Sequence, residues 1–360
     1  MRGADALWLL LPELTADRVM GANRLLLREV PAPHENINGY LARLALLNHL
    51  KGPKQILTSA LGGAPAFIDY VDVPRLADFC RLHPEEMSHC SGLLIREKGQ
   101  PSRWQVCGQM ISKGPFLTGA HTRICPACLS EHSHVRGLWS LSLYAACGIH
   151  GCSMVDACIK CGRRVLWKRY AVDYCLCGHR HASTPLLPSS DSSRVLAELM
   201  EMQIGQRTRL DVTAGISEGI LAHLSLLDLD ELCRAVWFFG EYLPLLEGYG
   251  KAAHHTRLDQ DAASSLIQEA VHVLSDWPAR FANRLESSTT RTLLVGTGTF
   301  SLTDALLGPV DRFLQHDLQA PGFDFIRAYY DQHIRSIWKS LGRRHRQRFD
   351  ARQLELDWDQ

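Results

Sequence analysis

The chain has 360 residues, of which 46% are hydrophobic and 21% charged, and a formal net charge of +1 at pH 7. These values are ordinary for a globular protein, and this length is enough for two or three domains. The near-neutral charge excludes a polycation that binds nucleic acid through its overall charge, and no apolar run approaches the roughly 20 residues of a membrane-spanning helix.

The start of the chain carries no pattern of an export signal. Ala6 to Leu11 are six consecutive apolar residues, short of a secretory core, and no small-residue cleavage site follows them. We therefore expect a cytoplasmic protein. In a reducing compartment, paired cysteines are metal ligands more often than disulfides.

Residues 1–120 are predicted to form an N-terminal helical domain. Apolar side chains at helical spacing predict a helix that Asn36 or Glu35 caps and that Gly52-Pro53 ends. The residues on its apolar face are Ile37, Tyr40, Leu41, Leu44, Leu47 and Leu50. Shorter helices are predicted over 73–80 and 84–87. Three such helices are compatible with a helix-turn-helix, and equally with other small bundles.

Paired cysteines and one histidine predict two four-ligand zinc sites in a tandem zinc-ribbon module over residues 121–183. Two ligands in one tight turn span an edge of the zinc tetrahedron, and a second pair supplies the opposite edge. The first predicted site is Cys125, Cys128, Cys147 and His150, and the second is Cys158, Cys161, Cys175 and Cys177. The prediction is therefore two Zn²⁺ ions per chain.

Two alternatives remain open for the fourth ligands. Cys152 could replace His150 in the first site, and His179 or His181 could replace Cys177 in the second. We prefer His150 because it keeps the two-residue turn, and Cys177 because Gly178 frees the backbone beside two close thiolates. Cys80, Cys90, Cys107 and Cys233 are expected to be buried apolar residues.

The full ligand sets favour a structural role, because a catalytic zinc keeps one position for water. From His121 to His181 there are eight Lys/Arg and three Asp/Glu residues, a net charge of +5. Two zinc ions and seven thiolates bring it to +2, enough for a few phosphate contacts. The nucleic-acid contacts predicted from charge alone are Arg163, Arg164, Lys168, Arg169, Arg343, Arg344, Arg346 and Arg348.

Residues 190–360 are predicted to form a C-terminal helical domain after a Pro/Ser-rich linker over 185–193. Shared apolar faces predict helices around 229–239 and 326–341. The segments 293–301 and Gly215–Gly219 look like a phosphate loop and a hydrolase nucleophile elbow. The first lacks the Gly-Lys-Ser/Thr ending and the second lacks a strand before it, so we interpret both as chance matches. The predicted fold class is mainly α with a small zinc-stabilised α/β insert.

These motifs resemble the TniQ/TnsD family of transposon target selectors. The resemblance rests on Cys125-Pro-Ala-Cys128-Leu, Trp139, Cys147-Gly-Ile-His150 and the two later cysteine pairs. The predicted helix within residues 34–48 also resembles the family's N-terminal motif. The resemblance spans about 30–180 and carries the eight zinc ligands over residue by residue.

The resemblance implies a non-enzymatic adaptor that links a recognised target to an AAA+ regulator of the TnsC type, which brings the transposase. With 360 residues, the chain is similar in size to short members that dimerise and dock on CRISPR Cascade with its guide RNA. Implied partners are thus the ATPase, Cascade, target DNA and a second copy of the chain. The resemblance also implies that the protein is bacterial and associates with the nucleoid when it is engaged. Two alternatives are a stand-alone protein that binds an attachment site directly and a metalloenzyme, which would need an open metal position.

Overall fold

A computed structural model describes residues 20–21, 24–242, 258–286 and 308–340. These residues form a mainly helical protein with small sheets and two cysteine/histidine clusters, which confirms the predicted fold class. The described residues divide into two compact units. One contains the chain up to Arg207 together with residues 258–264, and the other contains the remainder. The division into three domains at 1–120, 121–183 and 190–360 stays a prediction.

The first unit contains helices, a two-stranded antiparallel sheet formed by its first two strands and a four-stranded mixed sheet. Its helices are α1 (Ile37–Leu47), α2 (Pro53–Leu61), α3 (Val73–Cys80), α4 (Pro84–Ser88), α5 (Pro126–Glu131) and α6 (Asp191–Gln203). Its strands are β1 (Met20–Gly21), β2 (Arg24–Leu25), β3 (Ile68–Asp69), β4 (Leu93–Ile95), β5 (Arg103–Val106) and β6 (Gln109–Ile111). In the order β3-β4-β5-β6, β3 and β4 are parallel and the other neighbours are antiparallel.

Helix α1 forms where its apolar pattern predicts it. Asn36 is the cap, because its side chain accepts a hydrogen bond from the Asn38 amide at 2.8 Å. The predicted end at Gly52-Pro53 is wrong. The helix ends at Leu47, and Pro53 instead occupies the first turn of α2, where a missing amide proton costs nothing. Leu47 is consequently exposed, while the rest of the predicted apolar face is buried.

The second unit consists of helices among the described residues. They are α7 (Glu218–Leu224), α8 (Leu229–Trp237), α9 (Gln260–Ser275, whose first five residues belong to the first unit), α10 (279–286), α11 (Gly308–His316) and α12 (Asp324–Ser340). The predicted face of α8, which includes Leu229 and Val236, is buried, as are Ile326 and Tyr330 of α12. Two helices thus follow from apolar spacing alone.

The hydrolase-like motif is a helix cap. Ser217 accepts a hydrogen bond from the Ile220 amide at the start of α7. The described residues directly before it, 206–216, contain no strand. The segments 293–301 and 343–348 lie outside the described residues. Within the described residues, each helix is too short or too polar to cross a membrane.

Candidate metal centres

The first two predicted ligands are held by the start of α5. Cys125 is the N-cap of this helix, and its Sγ accepts a hydrogen bond from the Cys128 amide at 3.4 Å. Pro126 occupies the first helical position, where its fixed φ favours the turn. The Cys-Pro-x-Cys sequence therefore forms the turn that points both sulfur atoms to one side.

The second pair of the first cluster lies in the turn from Cys147 to His150, closed by a hydrogen bond from the Gly151 amide to the Cys147 carbonyl at 2.8 Å. Nδ1 of His150 lies 3.5, 3.3 and 3.5 Å from Sγ of Cys125, Cys128 and Cys147. Tetrahedral zinc with Zn–S and Zn–N bonds of about 2.3 and 2.0–2.1 Å requires edges of about 3.5–3.8 Å. The four donor atoms, all within 4.8 Å of one another, therefore fit a zinc ion.

A carboxylate completes the surroundings of His150. Its Nε2 lies 3.0 Å from Oε1 of Glu131, the last residue of α5, while Nδ1 faces the three sulfur atoms. Such a carboxylate fixes the ring orientation and the tautomer of a ligating histidine. Sequence reasoning missed Glu131, although its position three residues after Cys128 was a local signal.

The structure distinguishes His150 from its alternative. Sγ of Cys152 lies 3.5 Å from Sγ of Cys125 alone, and Cys152 stands outside the group of four mutually close donor atoms. The Cys152 carbonyl instead accepts from the Cys147 amide at 2.8 Å. The backbone of Cys152 thus supports the turn, and its thiol is a neighbour of the cluster.

The second predicted set also comes together. Sγ of Cys158 lies 3.7 Å from Sγ of Cys177, and Sγ of Cys161 lies 3.6 Å from Sγ of Cys175, again tetrahedral edges. Both turns end on glycines with positive φ, +69° at Gly162 and +82° at Gly178, as the Cys-x-Cys-Gly pattern predicts.

The two alternative histidines point elsewhere. Nε2 of His179 pairs with Oγ1 of Thr184 at 3.1 Å, and His181 is buried away from the four donors. Burial and the nearby charge of Arg169 lower the pKa of His181 to about 4, so this ring is neutral at pH 7.

The two clusters differ in exposure. In the first, Cys125, Cys128 and Cys147 are buried, while in the second Cys161 is exposed and Cys175 and Cys177 are half-buried. The difference follows from residues 135–148, between the two halves of the first site, which are all buried. A metal ion held by the second cluster would therefore be more accessible to solvent than one held by the first.

Glu201 of α6 lies directly behind the Cys147–His150 turn. Its Oε1 accepts from the Tyr144 hydroxyl at 2.6 Å and from Nη1 of Arg136 at 3.1 Å. A Cβ at Gly148 would lie 2.4 Å from Oε2 of Glu201, so the turn needs glycine there. Burial acts to lower the pKa of Arg136, but Tyr144 and Glu201 raise it overall, and the guanidinium stays charged. Sequence reasoning missed Glu201, which lies over 50 residues from the turn and carries no local signal.

The predicted nucleic-acid contacts are dispersed. Arg169 is buried, with its pKa lowered to about 10 by burial, and it donates to the carbonyls of Val172 and Leu166, both at 2.8 Å. Arg164 forms an ion pair with Asp156. Arg163 is exposed and Lys168 half-buried, while Arg343, Arg344, Arg346 and Arg348 lie outside the described residues.

A comparison with protein-family models matches residues 26–154 to the family described as TniQ. The matched range contains α1–α5, the sheet β3–β6 and the first cluster, and it ends before Cys158. A comparison with curated proteins found no match. Residues 26–154, about a third of the chain, are thus similar to the TniQ family, which supports the resemblance seen in the sequence.

Proposed function

We propose that this chain is a target-selection adaptor of a multi-protein DNA transposon and has no catalytic activity of its own. The observation that carries the proposal is the TniQ domain over residues 26–154, since TniQ is a transposition-associated target-selection family. The complete donor sets support it, because each supplies four protein atoms and needs no water to complete a tetrahedron.

Zinc would act as a structural ion in this adaptor. Cys125, Cys128, Cys147 and His150 would hold one ion, and Cys158, Cys161, Cys175 and Cys177 the other. Bound zinc supplies folding free energy to segments that bury little apolar surface of their own. The second cluster fits this description, since Ile159 and Leu176 beside its ligands are 59% and 69% exposed.

The adaptor would connect two kinds of partner. One is an AAA+ regulator of the TnsC type, which recruits the transposase, and the other is the complex that recognises the target, for which we propose CRISPR Cascade with its guide RNA. The net charge of +1 suits such a role, because an adaptor leaves most of the DNA binding to its partners. A homodimer is part of the proposal.

Retention of a TnsC-type ATPase by the tagged full-length chain tests the adaptor role. We expect the zinc-loaded chain to retain the ATPase in the presence of ATP, and Cys125→Ala to lose it through local unfolding. Cys233→Ala is the matched control, because Cys233 is equally buried but lies outside both clusters. If the unaltered chain does not retain the ATPase, the proposal is contradicted. If the chain retains the ATPase but does not bind Cascade, only the CRISPR-linked version is contradicted.

Direct recognition of an attachment site is the second candidate function. It is favoured by exposed cations beside the second cluster, such as Lys160 and Arg163, which form no ion pair within the described residues. Mobility-shift assays on genomic fragments distinguish the two functions. Sequence-specific sub-micromolar binding without partners would favour direct recognition over the adaptor.

A further inference from the structure

Three lysines of the first unit lie in two segments that approach each other. One segment is the start of α2, and the other is residues 168–170, between the two halves of the second cluster. The two segments are close at Gly52, where a Cβ would be in van der Waals contact with Cα of Tyr170 at 3.5 Å and with the Arg169 carbonyl oxygen at 3.6 Å. The φ of +125° at this position favours glycine. Residues 168–170 therefore lie beside residues 51–54. We call Lys51, Lys54, Lys168 and Tyr170 the lysine patch.

The ammonium group of Lys168 is held in place by two backbone carbonyl groups. Its Nζ donates to the carbonyl of Pro65 and, at 3.4 Å, to that of Ala64 in the loop after α2. Burial, followed by the positive charge of Lys54, lowers the pKa of Lys168. Two ammonium groups are thus held near each other, and an anion placed between them would relieve their repulsion.

The lysines of the patch are not neutralised by ion pairs within the residues that the structure describes. In the part of the chain that the structure describes, none of its three lysines forms an ion pair, whereas several exposed arginines do. Those paired arginines are Arg24 with Asp78, Arg103 with Glu97 and Arg180 with Asp173. Lys51 and Lys54 are exposed, and Tyr170 beside them is 49% exposed. The charge is therefore available to a partner.

We infer that the lysine patch binds the phosphate backbone of duplex DNA. This inference rests on the proposed function, in which target DNA is one of the partners. A phosphate backbone presents regularly spaced negative charges, and lysine ammonium groups meet them as point charges without reading the sequence. The phenol of Tyr170 adds a hydrogen-bond donor of the kind that contacts phosphate and sugar oxygens.

The surface joins two parts of the chain that lie more than 100 residues apart. Lys51 and Lys54 come from the start of α2, and Lys168 and Tyr170 follow the first half of the second cluster. Zinc at the second cluster would therefore help to hold the patch together, by fixing the segment that carries Lys168. The DNA contact then belongs to the TniQ domain and the second cluster jointly.

The test measures binding of the zinc-loaded full-length chain to a fluorescein-labelled duplex of arbitrary sequence between 50 and 200 mM salt. Lys54→Gln and Lys168→Gln each remove one phosphate contact, so each should lower the salt slope by about 0.9 and the affinity by about threefold to tenfold. In the double variant, the reduction of the salt slope should be about twice the reduction in either single variant.

Lys98→Gln is the matched control, because Lys98 is exposed, forms no ion pair within the described residues and lies in the turn before β5. It should leave the slope and affinity unchanged. Circular dichroism and zinc content establish that each variant is folded. A salt slope unaltered in the double variant, or an equal loss in Lys98→Gln, would overturn the inference.

The nature of the partner is tested in the same assay. Tighter binding to single-stranded RNA, or competition only by an acidic peptide, would overturn the assignment to duplex DNA. Failure of this inference differs from failure of the adaptor role. A chain that retains the ATPase but ignores all duplexes refutes only the lysine patch, whereas a chain that binds DNA through these lysines without retaining the ATPase refutes only the adaptor.

Discussion

At the scale of single residues, His150 and Cys152 show how a donor is selected. Both belong to the run after Cys147, and the spacing left either of them as the fourth ligand. In the structure, Nδ1 of His150 faces three sulfur atoms, and its Nε2 lies 3.0 Å from Oε1 of Glu131. Cys152 approaches only Cys125, at 3.5 Å between the sulfur atoms. The carboxylate behind the imidazole is the feature that favours histidine.

Replacing Cys152 tests this selection. Cys152→Ser should retain two zinc ions per chain, because none of the four donors of the first cluster is removed. His150→Ala should weaken zinc binding at that cluster, since it removes a donor together with the Glu131 contact. Metal analysis of the purified variants by mass spectrometry measures both. A full loss of one ion from Cys152→Ser, with His150→Ala unaffected, would assign the ligand to Cys152 instead.

His181 gives the chain a dependence on pH. Its pKa is about 4 in the folded state because of burial and Arg169, against an ordinary value of 6.5, so the unfolded chain takes up a proton first as the pH falls. The contribution of the neutral His181 ring to folding stability is fully present above about pH 6.5 and is lost as the pH falls from about 6.5 to about 4. Between pH 7 and pH 5 we expect a loss of about 2 kcal/mol from this group.

The measurement compares the urea-unfolding free energies of the zinc-loaded protein and of His181→Gln at both pH values. Glutamine does not titrate, so the difference between the two proteins isolates His181 from the cysteines, which take up protons in both. A loss of stability between pH 7 and pH 5 that is equal in the two proteins would show that His181 contributes nothing.

At the scale of elements, hydrogen bonds from charged side chains connect α6 with the first cluster. Glu201 of this helix accepts hydrogen bonds from Tyr144 and Arg136, and Arg207 just after the helix donates to the Gly148 carbonyl. Glu201 and Tyr144 are essentially inaccessible to solvent. Although α6 starts within the last residues of the predicted linker, it packs within the first unit and contacts the turn that carries Cys147 and His150.

Glu201→Ala should destabilise the first unit by about 3–5 kcal/mol, because it leaves the buried guanidinium of Arg136 without its carboxylate. Chemical denaturation followed by tryptophan fluorescence measures the change. Glu85→Ala serves as the control, since the side chain of Glu85 is 84% exposed and its loss should cost less than about 0.5 kcal/mol. Equal effects of the two substitutions would contradict the role given to this network.

At the scale of the whole molecule, segments far apart in the chain close around the metal clusters. The buried guanidinium of Arg123 donates to the carbonyls of Leu258 and Asp259 at 3.0 and 2.9 Å. Gln260 donates from its side chain to the Ala145 carbonyl. Residues 258–260 thereby belong to the first unit, although residues 208–254, which belong to the second unit, separate them from Arg207 in the sequence.

The unequal burial of the clusters predicts two steps of zinc release. A chelating dye should remove one ion quickly, from the half-exposed thiolates of the second cluster, and the other slowly, from the buried first cluster. Cys158→Ser should lack the fast phase and keep the slow one. Release of both ions from the unaltered chain in a single phase would contradict the burial argument.

Local residue patterns are sufficient to predict the elements and turns whose causes are local. The apolar spacing from Ile37 to Leu44 predicts α1, the Cys-x-x-Cys and Cys-x-Cys-Gly runs predict the metal turns, and the same residues indicated the TniQ family. Each of these rests on neighbours within a few positions, where helical periodicity and tetrahedral edges restrict the choice.

Which of these residues meet depends on the packing of the folded chain. Packing groups His150, rather than Cys152, with the other three donors of the first cluster, places Glu201 behind Gly148, buries Arg169 and brings Lys168 beside Lys54. Contacts of this kind join segments tens to more than 100 residues apart. They depend on the packing of whole segments, which no local pattern of residues specifies.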